Sequence, residues 1–290
     1  MKYYIGVDLG TSAVKLLLMD QEGQVVNIVS REYPLSFPHP GWSEQNPEDW
    51  WEQSKEGIRE LISKIDAAEV AGISFGGQMH GLVILDEKDQ VIRPAILWND
   101  GRTTKETDYL NQVIGKEKLS EYTANIAFAG FTAPKLLWVK ENEPENFAKI
   151  CKIMLPKDYL AYCLTGVHCC DYSDASGMLL LDVKNKCWSE QMMEICGVSR
   201  EQMPELFESY EKVGTLKPEV AKELDCRKPV WWQRVPGIML RQQWEPVQWE
   251  MVSVMCLWEP AEQFLFPVRI SAWIHTMPCM HLPMLTDIII

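Results

Sequence analysis

The stretch "GVDLGTSAVK", residues 6–15, sets the fold. It joins two apolar runs, "YYIGVDL" (3–9) and "AVKLLLMD" (13–20), which read as strands meeting at a short turn. A third run, "QVVNIVSREY" (24–33), follows the turn "QEGQ", so three strands open the chain. Gly10 is followed by two small hydroxyl residues. The turn can therefore bring backbone N–H groups and the Thr11 and Ser12 hydroxyls close to an anion, a geometry that suits a phosphate. A plain hairpin turn is the competing reading of the same residues.

Working outward, "NPEDWWEQSKEGIRELISKI" (46–65) predicts a helix. Asn46 can cap it, Pro47 sits where a lost N–H matters little, and Glu48 and Asp49 favour the positive end of the helix dipole. Trp50, Ile58, Leu61, Ile62 and Ile65 fall on one face, which should pack on a sheet. "VAGISFGG" (70–77) and "GLVILD" (81–86) read as strands flanking "GGQMHG". Paired glycines at 76 and 77 allow close backbone approach, and Gln78, Met79 and His80 then stand on a loop at a strand end, where α/β folds place ligands. A surface or structural role is the alternative for this histidine. "PAILWND" (94–100) predicts another strand, so Asp100 and Arg102 also fall at a strand end. Helices are expected over "TKETDYLNQVI" (104–114), "APKLLWVKEN" (133–142), "PENFAKI" (144–150) and "KDYLAYCLTG" (157–166), with a strand at "KIMLP". "CDYSDASGMLLLDV" (170–183) reads as a polar loop returning a strand, and "KPEVAKEL" (217–224) as a final helix.

The formal net charge of -13 argues against nucleic acid as a partner, since phosphate backbones are held by clustered Lys and Arg and no such cluster is present. No apolar stretch is long enough to span a bilayer. The first residues are too short an apolar run, broken by Asp8 and Gly10, to serve as a secretory leader. Nine cysteines without C-x-x-C spacing indicate neither a disulfide framework nor a zinc site. A cytoplasmic protein is expected.

Neither a Walker lysine loop nor G-x-G-x-x-G is present, so another architecture must supply a phosphate turn between antiparallel strands. "GVDLGTSAVK", "GISFGGQMHGLVILD", "ILWNDGRT", "GFTAPKLLWVKEN" and "LPKDYLAYCLTG" followed by "SDASGMLLLDV" together resemble, in order and spacing, the FGGY carbohydrate kinases. The resemblance covers roughly residues 1–230 and looks like the xylulose branch rather than the glycerol branch. It implies an α/β fold of the ribonuclease H-like, actin and hexokinase ATPase type, with 1–230 as the N-terminal domain of two that close on a cleft. It also implies ATP-dependent phosphorylation of D-xylulose to D-xylulose 5-phosphate with ATP and Mg2+. By that resemblance Asp8 is the catalytic carboxylate near the transferring phosphate and its magnesium, and Gly10, Thr11 and Ser12 form the phosphate turn. Met79 and His80 contact the sugar, and Asp100 and Arg102 are cleft residues. Ribulose, gluconate or glycerol are sibling substrates, a homodimer is an assembly open to the full-length family, and neither nucleic acid nor membrane is implied as a partner.

From residue 231 to 290 the chain departs from that family. This segment carries six of the twelve Trp, six of the fourteen Met, no Lys and one Gly, and holds neither a period of two nor of 3.6. Each codon of a shifted frame takes its last two bases from the first two of a printed codon. Read so, residues 231–266 permit a string containing "GAGDN", which resembles the family's general-base motif, and "LGTSGT", which resembles its second phosphate loop. The segment 231–290 is accordingly expected to be an out-of-frame translation of the second domain's start. Ile238 then stands where the catalytic aspartate belongs, so an inactive product is expected, with the second domain missing. The competing readings are a tryptophan-rich interaction surface and a non-catalytic sugar- or partner-binding half-molecule.

Overall fold

Tyr3–Leu9 (β1) and Ala13–Asp20 (β2), each with a run of consecutive buried residues, form a tight antiparallel pair, with Asp8 opposite Lys15 and Leu9 opposite Val14. Val25–Glu32 (β3) adds antiparallel to β2. The computed structural model describes residues 1–224 and the backbone of the strand Trp231–Arg234. Val70–Gly77 (β4) runs parallel to β1 on its other side. With Lys212–Thr215 (β5) and Trp231–Arg234 (β6), the sheet has six strands in the order β5-β6-β4-β1-β2-β3. An antiparallel meander continued by parallel strands is the ribonuclease H-like arrangement of the actin and hexokinase ATPases.

The helix expected from residue 46 is Pro47–Ile62 (α1), with the Asn46 side chain accepting from the Glu48 amide at 3.3 Å. Trp50, Ile58, Leu61 and Ile62 are buried in one apolar core with the sheet, and Ile65 is packed at its margin. A second core gathers around Thr132–Asn142 (α2). The strand Val83–Leu85 lies between the two. Its period of two sends Val83 and Leu85 into the first core and Leu82 and Ile84 into the second, which is why "LVIL" is apolar throughout instead of alternating.

Two expectations change. The helix expected over 104–114 is an α-helical turn, Thr104–Asp108, that widens into π turns over Tyr109–Gly115 and resumes at Lys116–Thr123. The polar loop near 173 is a short helix, Tyr172–Ser176, because the Asp171 carboxylate caps it by accepting from the Asp174 amide at 3.0 Å. The strand Trp231–Arg234, just past the expected boundary at 230, also lies in the sheet. β6 pairs parallel with β4 and antiparallel with β5, so β5 joins the sheet only through it. Ile238 and the remainder of 235–290 lie outside the described residues. No described helix is long and apolar enough to cross a membrane.

Candidate active site

β1 and β4 end side by side, and the turn after β1 and the loop after β4 are thereby neighbours. Asp8, half-buried, is registered beside Gly76, and Leu9 beside Gly77. A Cβ at Gly77 would stand 2.7 Å from the Leu9 Cβ, so this approach requires the glycine. Gln78 then donates its amide to the Leu9 carbonyl at 2.8 Å. The turn itself closes with Gly10 N donating to Ala13 O at 3.1 Å, and a Cβ at Gly10 would lie 2.9 Å from that same oxygen. Thr11 is partly buried and Ser12 exposed. The Thr11 hydroxyl accepts from the indole Nε1 of Trp98 at 3.1 Å.

His80 takes a positive φ of 66° and is held from three directions. Its carbonyl accepts from Thr132 Oγ1 at 3.2 Å and from Lys135 Nζ at 2.8 Å. Its Nδ1 lies 3.0 Å from the Gly177 carbonyl, and its ring packs on Phe131 with centroids 5.0 Å apart. A carbonyl can only accept, so Nδ1 carries the proton of the neutral ring and Nε2 keeps a lone pair. Burial lowers the pKa of His80 and the charge of Lys135 adds to this, against the Gly177 bond, which raises it. Gly177 ends the helix that Asp171 caps, and below it Lys157 is buried between Asp171 at 2.5 Å and Asp174 at 2.6 Å. Lys135 is fully buried on α2 and also donates to the Gly130 carbonyl. Burial pushes its ammonium down to about 7, with Asp100 opposing the shift and Arg102 adding to it. Lys135 thus ties the His80 loop to the loop before α2.

The structure brings Gly10, Thr11, Ser12 and Asp8 together on adjoining strand ends with the loop of Met79 and His80. Asp100 and Arg102 have a different place from that expected of cleft residues. Both side chains are completely buried and bonded to one another, Asp100 Oδ2 to Arg102 Nη2 at 2.8 Å and Oδ1 to Nε at 2.9 Å. Asp100 also accepts from the Ser43 amide at 2.6 Å, Arg102 pairs with Glu44 at 2.7 Å, and its guanidinium lies 3.8 Å from the Trp42 ring centroid. They fasten the 42–45 segment, whose Gln45 reaches the turn. Removing Asp100 strips the Ser43 amide and Arg102 Nε of their buried acceptor while Glu44 still faces the guanidinium, so Asp100→Ala should cost about 1–3 kcal/mol in denaturant unfolding. A loss below about 1 kcal/mol would show that the pair is not what fastens this segment.

Among the described residues no group of three or more His, Cys, Asp or Glu side chains could hold a metal unaided. One carboxylate beside an anion turn does fit magnesium, which keeps water and shares phosphate oxygens instead of filling an all-protein cage. Sequence reasoning passed over Tyr33, Gln45, Trp98, Lys135 and Gly177. Trp98, Lys135 and Gly177 stood inside quoted motifs and Tyr33 at the end of a quoted strand, but no local pattern tells which distant loop such a side chain binds.

Residues 3–231 match the model of the FGGY family of carbohydrate kinases, N-terminal domain. The chain is 50% identical over 223 residues to the xylulose kinase of Bacillus subtilis (strain 168), covering 76% of this chain and 44% of that protein. It is 46% identical over 219 residues to that of Escherichia coli (strain K12), covering 76% and 45%. The chain therefore spans about half the length of the curated relatives it matches. Among solved structures, a xyloylose kinase from Brucella ovis superposes with a TM-score of 0.78 at 41% identity, covering 81% of this chain and 48% of that one. A gluconate kinase from Lactobacillus acidophilus gives 0.77 at 28% identity, covering 81% and 48%. With five motifs, the sheet topology and the family match in agreement, this chain belongs to the FGGY family of carbohydrate kinases, whose N-terminal domain it carries.

Proposed function

We propose that the gene encodes an ATP-dependent kinase that phosphorylates D-xylulose at its terminal hydroxyl, and that the 290-residue chain supplies only the first wall of that cleft. The observation that carries this reading is the pairing of an anion turn beside Asp8 with a neutral, rigidly held His80. The turn offers N–H donors to phosphate oxygens, and Asp8 stands where a magnesium ion would be shared with them. Magnesium, when bound, offsets the charge of the transferring phosphate. Phosphoryl transfer needs chiefly positioning and charge neutralisation, both of which these residues can supply. His80 Nε2 accepts from a sugar hydroxyl, with Met79 beside it. The general base falls at the position of Ile238, outside the described residues, and belongs to the shifted frame. Xylulose kinases at 46–50% identity favour D-xylulose, whereas the gluconate kinase from Lactobacillus acidophilus at 28% keeps a gluconate-type substrate as the second reading. A cytoplasmic enzyme remains the reading for its location.

His80 supplies the test within this chain. Because its folded pKa lies below the ordinary value of 6.5, the neutral acceptor is fully present above that pH and is lost as pH falls through the lowered pKa. Calorimetry with D-xylulose should give an affinity that weakens as pH falls below about 6.5, beneath the pH of about 7 at which Lys135 gains its proton. His80→Ala should bind more weakly at neutral pH and show no such slope. Equal affinity in both proteins, or tighter binding in acid, would remove His80 as a sugar acceptor.

A further inference from the structure

We propose that Tyr33 and Gln45 are positioning residues for the anion turn, holding its N–H groups outward by occupying its carbonyls. The inference rests on the phosphate reading of that turn. Three consecutive carbonyls are taken by these two residues: Tyr33 Oη donates to Gly10 O at 2.5 Å, Gln45 Nε2 to Thr11 O at 2.7 Å, and Tyr33 N to Ser12 O at 3.2 Å. In a trans peptide unit the N–H points opposite to the C=O. Carbonyls of Gly10 and Thr11 directed at the protein therefore turn the N–H groups of Thr11 and Ser12 away from it. Among the described residues neither of those amides meets an acceptor. Two adjacent open donors are what an anion requires, and they are presented before any anion arrives.

The two donors to the carbonyls are themselves fixed. Burial, with the charge of Asp8 adding to it, holds the Tyr33 phenol above its ordinary pKa range, so its O–H stays a donor at every working pH. An amide such as Gln45 could be reversed in place, but here Trp50 Nε1, which can only donate, lies 3.1 Å from Gln45 Oε1. Gln78 Nε2 reaches the same oxygen at 3.3 Å. Nε2 is thus the end that faces Thr11 O, and it also donates to Pro34 O at 3.3 Å. Gln45 and Trp50 are buried at 2% and 0% exposure. Gly10 has the freest backbone in the turn, and a rotation of its following peptide would hide the Thr11 N–H. The Tyr33 hydroxyl closes that freedom. The helix α1 and the buried pair of Asp100 and Arg102 consequently bear on the turn through Gln45, one from each side in sequence.

Amide-resolved NMR on the 290-residue chain, with inorganic pyrophosphate as the probe, tests this. Without the probe, the Thr11 and Ser12 amides should exchange with solvent as open groups. Protection of both in the unliganded chain would overturn the orientation, whatever any variant does. With the probe, both signals should shift saturably, and Tyr33→Phe should weaken that response about tenfold while leaving the β1 and β2 signals in place. Should Tyr33→Phe lose the fold, Gln45→Met, which keeps volume but not the donor, reads the same response at Ser12. An unchanged titration in the folded variant overturns the positioning role. Fast exchange with no shift on either amide would instead overturn the phosphate reading, leaving the orientation of the turn as described.

Discussion

Given ATP, magnesium and D-xylulose, the 290-residue chain is expected to release no detectable ADP. The product of a gene corrected by one base near codon 230 and read to its natural stop is expected to turn over. On the frame reading proposed for residues 231–290, the 290-residue chain holds Asp8 and one phosphate turn, while Ile238 stands at the place of the base and the second phosphate loop lies in another frame. Loss of a general base alone removes about 10²–10⁴ in rate. Loss of the facing phosphate contacts removes more, because electrostatic positioning is the larger part of phosphoryl-transfer catalysis. In the corrected product, Asp8→Ala should abolish turnover. A corrected enzyme that folds yet prefers gluconate or glycerol would refute the sugar while keeping the family. Activity in the uncorrected chain would refute the frame argument itself.

The second large effect concerns the sheet. Chains ended at Leu224 and at Arg234 differ by ten residues, of which the last four form β6. Without β6, β4 keeps β1 but loses its other parallel neighbour, and β5 loses the one partner in the sheet that it has among the described residues. The shorter chain should unfold at a temperature lower by roughly ten degrees or more, the consequence of losing several kcal/mol at about 2–4 °C each for a domain of this size. Thermal unfolding followed by circular dichroism compares the two. Equal midpoints would make β6 dispensable to the domain.

β6 shows how local the sequence evidence was. β1, β2 and α1 were legible almost to the residue because each carries its own signal: apolar runs broken by a glycine turn in the strands, and a cap, a proline and an apolar face in the helix. β6 carries no such signal, since "WWQR" alternates with nothing and is a strand only because β4 and β5 offer it two rows of backbone partners. The helix at Tyr172–Ser176 was missed for the opposite reason. A single capping carboxylate, Asp171, decided it inside a stretch otherwise written as polar loop.

The candidate site divides in the same way. The sequence by itself determined the family, the glycine-hydroxyl turn after β1 and the histidine loop after β4, because turns and strand ends are written in neighbouring residues. Only the tertiary structure decided what those loops present. Tyr33 and Gln45 lie 23 and 34 positions from the carbonyls they hold, and Lys135 lies 55 from the carbonyl of His80. Asp100 and Arg102, equally well placed at a strand end, turned inward to neutralise one another because a buried charge is tolerable only when paired. Burial and partners at long range assign a polar side chain to ligand or to scaffold, and neither quantity exists until the chain has folded.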